Sequence, residues 1–253
     1  MNATKFKYHL DTSSKKFECP ACGRKRFVRF VDESGAYLPE KFGRCDREIS
    51  CGYFELPEQS ENREHEIINK PQPVSYIDNI LFEQSLKGYS KNNFISWLKT
   101  LFNETEVSEV ISKYHIGTSK HWSGATIFWQ IDIDNGIRSG KIMLYDEDTG
   151  KRIKEPFNHI SWVHKALKLA DYNLIQCFFG EHLLTGNRKP VAIVESEKTA
   201  VIASIYFPSL IWLATGSLNG LNASRCKPLQ GRKAILFPDL GCYAQWKQKA
   251  DEL

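Results

Sequence analysis

Cys19, Cys22, Cys45 and Cys51 follow the pattern C-x2-C-x22-C-x5-C. Two thiolates joined by a tight turn can face one tetrahedral ion, and Gly23 lets the first turn close. Soft thiolates without a neighbouring histidine select zinc over harder cations. The chain has seven cysteines, and no apolar run follows its first lysines. A reduced, cytoplasmic setting is therefore expected, with the four clustered cysteines as structural zinc ligands rather than disulfide partners. Cys177, Cys226 and Cys242 stand apart and read as small buried apolar residues.

Beside the cysteines the chain is basic and aromatic, Arg24-Lys25-Arg26-Phe27-Val28-Arg29-Phe30. On a strand, alternation places Arg24, Arg26 and Val28 on one face and Lys25, Phe27 and Arg29 on the other. Arg24, Lys25, Arg26 and Arg29 are candidate nucleic-acid ligands, since cations can track phosphates while a ring stacks a base. A solvated ribbon with Phe27 and Phe30 over its small core explains the same residues equally well.

The second set of chemical residues lies near the other end. Glu195 closes the apolar run Val191–Val194, and Asp239 closes Ala234–Phe237. Acids at such strand ends can share Mg²⁺, which takes a few carboxylates plus water and phosphate oxygens. Lys198, early in the following helix, is a candidate phosphate partner. Spacing alone favours a plainer reading, a helix cap and a strand terminus. Gly136-Ile-Arg-Ser-Gly-Lys141 is one residue short of a phosphate loop, and Ile142 replaces the hydroxyl residue such a loop needs. None of the histidines has ligand-like or nucleophile-like spacing.

Elements must position these groups. With 253 residues, 42% hydrophobic and 25% charged, the composition is that of a globular α/β protein and excludes a disordered or collagen-like chain. No apolar run reaches the roughly 18 residues needed to cross a bilayer, so no membrane partner is expected. The formal charge of +4 permits nucleic-acid binding without arguing for it. Composition divides the chain into residues 1–57, a cysteine-rich ribbon, and 58–75, a linker with Pro71 and Pro73. Residues 76–185 follow as an α/β segment, and 186–253 as a parallel-sheet domain. Helices are predicted over 93–102, 104–114, 197–206 and 242–250, and strands over 126–133, 141–145, 191–195, 210–215 and 234–239. The last three are continuous apolar runs alternating with helices, which predicts a parallel sheet covered on both faces. Ligands of such sheets sit at the carboxyl strand ends, where Glu195, Thr215-Gly216-Ser217 and Asp239 fall. Trp122, Trp129 and Trp162 have apolar neighbours and read as core.

VAIVESEKTAVIA, LIWLATGSLNGL and RKAILFPDLG together resemble the TOPRIM fold of bacterial primases, topoisomerases and some nucleases. The EKTA ending is most similar to primase-like proteins of phages, plasmids and other mobile elements. The order of zinc ribbon, a lead-in around 122–141 and TOPRIM is that of a primase. The resemblance covers residues 17–54 and about 122–246, and implies a Rossmann-like parallel sheet. It makes Glu195, Asp239 and Lys198 catalytic candidates, and Glu195, Asp239 and Glu197 candidate ligands of Mg²⁺ or Mn²⁺. Arg138 and Lys141 are candidates for a nucleic-acid groove only through the resemblance of their segment to a primase lead-in. Ser196 replaces the family's usual glycine, and Thr199 stands where classical primases place an acid. Gly241 replaces the second acid of Asp-x-Asp. The chain ends about a dozen residues past Asp239, which marks a truncated or degenerate relative.

The implied function is DNA-primase-like. A zinc ribbon binds single-stranded DNA, and a Mg²⁺-holding TOPRIM core carries out nucleotidyl transfer, with nucleotides and a replicative helicase as partners. The alternatives are a DNA-binding replication accessory whose core has lost catalysis, which Gly241 favours, and a TOPRIM nuclease, which the primase-like order disfavours.

Overall fold

A computed structural model describes residues 7–47, 51–57 and 72–253. The chain divides into two compact units, 1–68 and 69–253. Among the described residues, no helix is long and apolar enough to cross a membrane.

The first unit is an antiparallel ribbon of β1 (Tyr8–Leu10), β2 (Phe17–Glu18), β3 (Lys25–Asp32), β4 (Gly43–Cys45) and β5 (Phe54–Glu55). The strands run β1-β3-β4-β5, with β2 also pairing β3. Being central, β3 buries Phe27 and Val28 and then Phe30 and Val31, so the predicted two-face alternation gives way to cover on both sides. Phe27 packs with Cys19 and Cys45, while Phe54 stacks on Phe30 at 6.3 Å on the opposite face.

The second unit opens with α1 (Asn79–Ser85), α2 (Asn93–Leu101) and α3 (Glu104–Tyr114). Asn103 caps α3 by accepting from the Glu106 backbone N–H while the Glu106 side chain accepts from Asn103 N–H, a reciprocal capping box. An antiparallel sheet follows, in the order β6 (Gly117–Thr118), β7 (Thr126–Ile131), β8 (Ile137–Met143), β9 (Ile160–Trp162). The short α4 (Val163–Ala166) leads to a second sheet. In it β10 (Val191–Val194) lies between β11 (Ile211–Ala214) and β12 (Ala234–Phe237), all parallel, and α5 (Glu197–Tyr206) joins β10 to β11. The chain continues through α6 (Ala223–Cys226) and α7 (Tyr243–Asp251).

Three sequence expectations need correction. Strand β8 starts at Ile137 rather than 141, so the glycine-punctuated stretch through Lys141 is extended backbone. Gly140 permits it, because a Cβ there would come within 2.5 Å of the Ile127 side chain. β12 is an edge strand with Ala234 and Phe237 exposed, so its apolar run does not mark a sheet covered throughout. Residues 72–75 are tied to the second unit, with Asn173 bonded to Ser75 and Gln72, while 58–71 lie outside the described residues.

The two stretches expected as separate domains, 76–185 and 186–253, share one core. Phe94, Leu98, Val110, Phe128 and Tyr145 pack with Val194, Val201 and Trp212. Tyr114 donates its hydroxyl to Trp212 O at 2.9 Å inside this core. Nearby, His182 Nε2 donates to Lys113 O at 3.0 Å, and its ring lies 5.1 Å from that of His115. Burial pulls His182 down to about 4. Unfolded histidine titrates near 6.5, so the chain binds a proton there more readily unfolded than folded. The stability held above that value is therefore lost as pH falls from ~6.5 to ~4, by up to about 3 kcal/mol. Thermal melts across this range are expected to show the loss in the native protein and a flatter profile in His182→Gln.

Candidate functional site

The four ribbon thiols meet at one point. Cys19 and Cys22 lie on the turn between β2 and β3, Cys45 ends β4, and Cys51 precedes β5. All four sulfurs lie within 4.8 Å of one another. Cys19 and Cys51 are 3.6 Å apart, and Cys22 and Cys45 are 4.0 Å apart. Tetrahedral zinc with ~2.3 Å bonds requires S···S separations of about 3.8 Å, so the cage fits the ion. The Cys22 thiol is lowered to about 6, first by the backbone N–H of Arg24. This is a zinc-binding ribbon.

The basic residues beside it separate into two groups. Arg24, Lys25 and Arg26 are exposed. Arg29 is turned inward: its guanidinium bonds Leu38 O and lies over the Phe17 and Tyr37 rings at 5.0 and 5.3 Å. Arg29 is thus part of the ribbon's packing and not of its open surface.

In the second unit, β10 and β12 pair in register, Val194 opposite Phe237, so the chain leaves both strands at the same end. Glu195 follows β10 directly, and Asp239 follows Pro238, whose missing N–H ends the ladder. The Glu195 carboxyl is held above the ordinary carboxylate range, first by burial and then by the Asp239 charge. Glu197, on the first turn of α5, is buried and accepts from Lys141 Nζ at 3.0 and 3.2 Å. The same ammonium donates to Gly216 O at 2.8 Å, so β8 reaches across to the end of the parallel sheet. Gly216 has φ +73°, and a Cβ there would lie 2.9 Å from Glu197 Oε1, so the approach requires glycine.

Three assignments change in consequence. Lys141 does not line an open groove; it is buried and committed to Glu197. Arg138, three residues earlier, is bonded to buried Asp132 and lies over the Tyr76 ring at 5.0 Å, apart from the strand-end acids. Lys198 points away from Glu195, donating to Gly150 O at 2.9 Å and lying 5.0 Å from the Trp97 ring centroid. Consecutive helical residues diverge by roughly 100°, so Glu197 and Lys198 cannot both face the strand ends.

Sequence reasoning missed two organising residues. Arg225 Nη1 donates to Thr215 O at 2.7 Å and Gly220 O at 3.4 Å, and its other nitrogen bonds Gln176, which fixes the loop after β11. Asp132 accepts from the backbone N–H groups of Asp134 and Gly136 as well as from Arg138. The Asp-Asn-Gly turn signals the second, whereas nothing local signals the first.

Residues 92–240 match a family model described as a domain of unknown function, DUF6371. That is more than half of the chain. The chain belongs to the DUF6371 family. Residues 6–66 match a model of a zinc beta-ribbon finger, which takes in all four clustered cysteines. No curated protein matches the chain, and no solved structure does. The DUF6371 match includes Lys141, Glu195, Glu197 and Gly216 and ends one residue past Asp239. The strand-end acids therefore lie inside the family's own domain, and the four cysteines outside it.

The donor set at the strand ends suits a hard cation. The Glu195 carboxylate, disfavoured by burial and by the Asp239 charge, would be relieved by a cation beside it, and Mg²⁺ or Mn²⁺ takes oxygen ligands of this kind.

Proposed function

We propose that this DUF6371 protein is a primase-like nucleic-acid protein. In this reading its zinc ribbon binds single-stranded DNA, and its TOPRIM-like strand ends hold Mg²⁺ or Mn²⁺ for nucleotidyl transfer. The observation that carries the reading is the convergence of Glu195 and Asp239 at one end of adjacent parallel strands, with Glu197 and Lys141 beside them. Glu195 and Asp239 would hold the cation. When bound, the cation supplies charge stabilisation at a phosphoryl oxygen. Glu197 fixes Lys141, whose ammonium adds positive potential next to the two acids. The loop Gly216–Gly220, tied down by Arg225, shapes the site wall, and exposed Arg24, Lys25 and Arg26 meet the template phosphates.

A second reading is a replication accessory that binds DNA without catalysis. Two observations favour it. Gly241 stands where the resemblance asks for another acid, and Glu197 is already neutralised by a protein cation. A nucleotide substrate, a helicase partner and a mobile-element setting belong to the first reading as expectations.

Both readings require binding to single strands that weakens as salt rises, with a slope of ~0.7 per neutralised phosphate. Fluorescence anisotropy with oligothymidylate is expected to show that slope. Changing Arg24 and Arg26 to Ala lowers it, while Glu195→Gln leaves affinity intact or raises it. A salt-independent affinity, or none, defeats both readings. Glu195→Gln is also expected to raise the melting temperature slightly at neutral pH, because it removes a charge that the fold disfavours.

A further inference from the structure

A run of rings lies in the second unit, on residues that neither the ribbon nor the strand-end acids use. His121 and Trp122 have centroids 4.4 Å apart, Trp122 and His159 5.2 Å, and His159 and Phe157 4.3 Å. Phe157 is nearly parallel to His159, at 26°, yet 54% exposed. Its support is rigid. Leu144 N–H donates to His159 O at 3.3 Å, Ile153 N–H donates to Leu144 O at 3.1 Å, and Trp122 packs against the Ile127–Trp129 core. All of residues 154–158 are exposed, as are Lys120, Lys151, Arg152 and Lys165. The stretch 151–165 holds Lys151, Arg152, Lys154 and Lys165 against one acid, Glu155. The acidic residues Asp146, Glu147 and Asp148 occupy the tip of the preceding hairpin, beyond the Tyr145–Arg152 bridge.

A half-exposed ring stacked from behind, on a stretch rich in exposed cations, is what an unpaired base needs. The base stacks on the ring, the lysines neutralise the phosphates, and no ordering cost falls on the protein. We propose that Phe157, backed by His159 and Trp122 on a stretch that carries exposed Lys151, Arg152 and Lys154, is a second contact surface for single-stranded nucleic acid. It shares its ligand class with the ribbon reading but stands on different residues, in a different unit.

The test uses the full zinc-loaded chain and an oligothymidylate carrying one 5-bromouracil. Affinity is read by anisotropy, and photocrosslinks are mapped by mass spectrometry. Phe157→Ala, at an exposed position, is expected to keep the native melting temperature and to bind ~5- to 150-fold more weakly. Phe157→Trp restores affinity, Lys154→Ala lowers the salt slope by ~0.7, and crosslinks fall within 154–159. Unchanged affinity in Phe157→Ala, or crosslinks confined to the ribbon, overturns the proposal and leaves the ribbon reading standing. Loss in Phe157→Ala without loss in an Arg24, Arg26 double variant keeps this proposal and removes the ribbon's role. A Phe157→Ala effect on self-association alone makes the surface a protein interface and also overturns it.

Discussion

Replacing Cys22 with Ser, or removing the ion with a chelator, is expected to unfold the ribbon and leave the second unit folded. The ribbon's own core is small, Phe17, Phe27 and Tyr53 around the thiols with Val28, Phe30 and Val31 of β3 besides. A core that small cannot offset the chain entropy of its residues. Zinc supplies the difference, on the order of 10–16 kcal/mol in zinc-finger peptides near neutral pH. The second unit has hydrophobic clusters of its own, around Phe94 and Phe128, around Trp129, and around Trp246. Proteolysis after chelation is therefore expected to digest the N-terminal segment and spare a fragment beginning near residue 72. A native protein holding well under one zinc per chain, or a single cooperative collapse on chelation, would contradict this.

The second large effect is expected at Lys141. Its ammonium and the Glu197 carboxylate are 11% and 3% exposed, so neither charge has water to fall back on. Lys141→Met fills similar space and strands the carboxylate, which typically costs about 3–5 kcal/mol when a buried pair is broken from one side. Adding Glu197→Gln to Lys141→Met is expected to recover most of that loss, because the stranded charge is gone. Urea unfolding of the two single variants and the double variant measures the coupling directly. A loss below ~1 kcal/mol in Lys141→Met, or no recovery in the double variant, would mean that the pair does not organise the site.

How much of this was legible depended on how local each signal was. The two zinc knuckles are written in short spacings, and the cage geometry matches them. Helices α2 and α3 were readable because apolar side chains recur at helical spacing, and α3 in addition carries its cap in Asn103 and Glu106, whereas α5 was readable from its place between two apolar runs. The three parallel strands were visible as continuous apolar runs. By contrast, Lys141 and Glu197 are 56 residues apart, and no pattern along the chain joins them. Lys198 was misread because helical phase turns it from the strand ends to Trp97. Arg29 belongs to a basic run, yet its guanidinium is folded over the Phe17 and Tyr37 rings, which leaves its side chain only 15% exposed. Gly136–Lys141 was weighed as a phosphate loop and its strand expected only from 141, whereas β8 begins at Ile137 and Gly140 serves close packing against Ile127. The exposure of β12 was hidden for a similar reason, since an apolar run reports hydrophobicity and not whether another layer covers it.

The central claim is that the strand-end acids hold a metal for nucleotidyl transfer. Primer synthesis on single-stranded DNA, with labelled nucleotides and either Mg²⁺ or Mn²⁺, tests it most directly. The account predicts short metal-dependent products from the native chain, lost in Glu195→Gln and Asp239→Asn while DNA binding persists. DNA binding without products in either metal would contradict it and leave the non-catalytic accessory reading in its place.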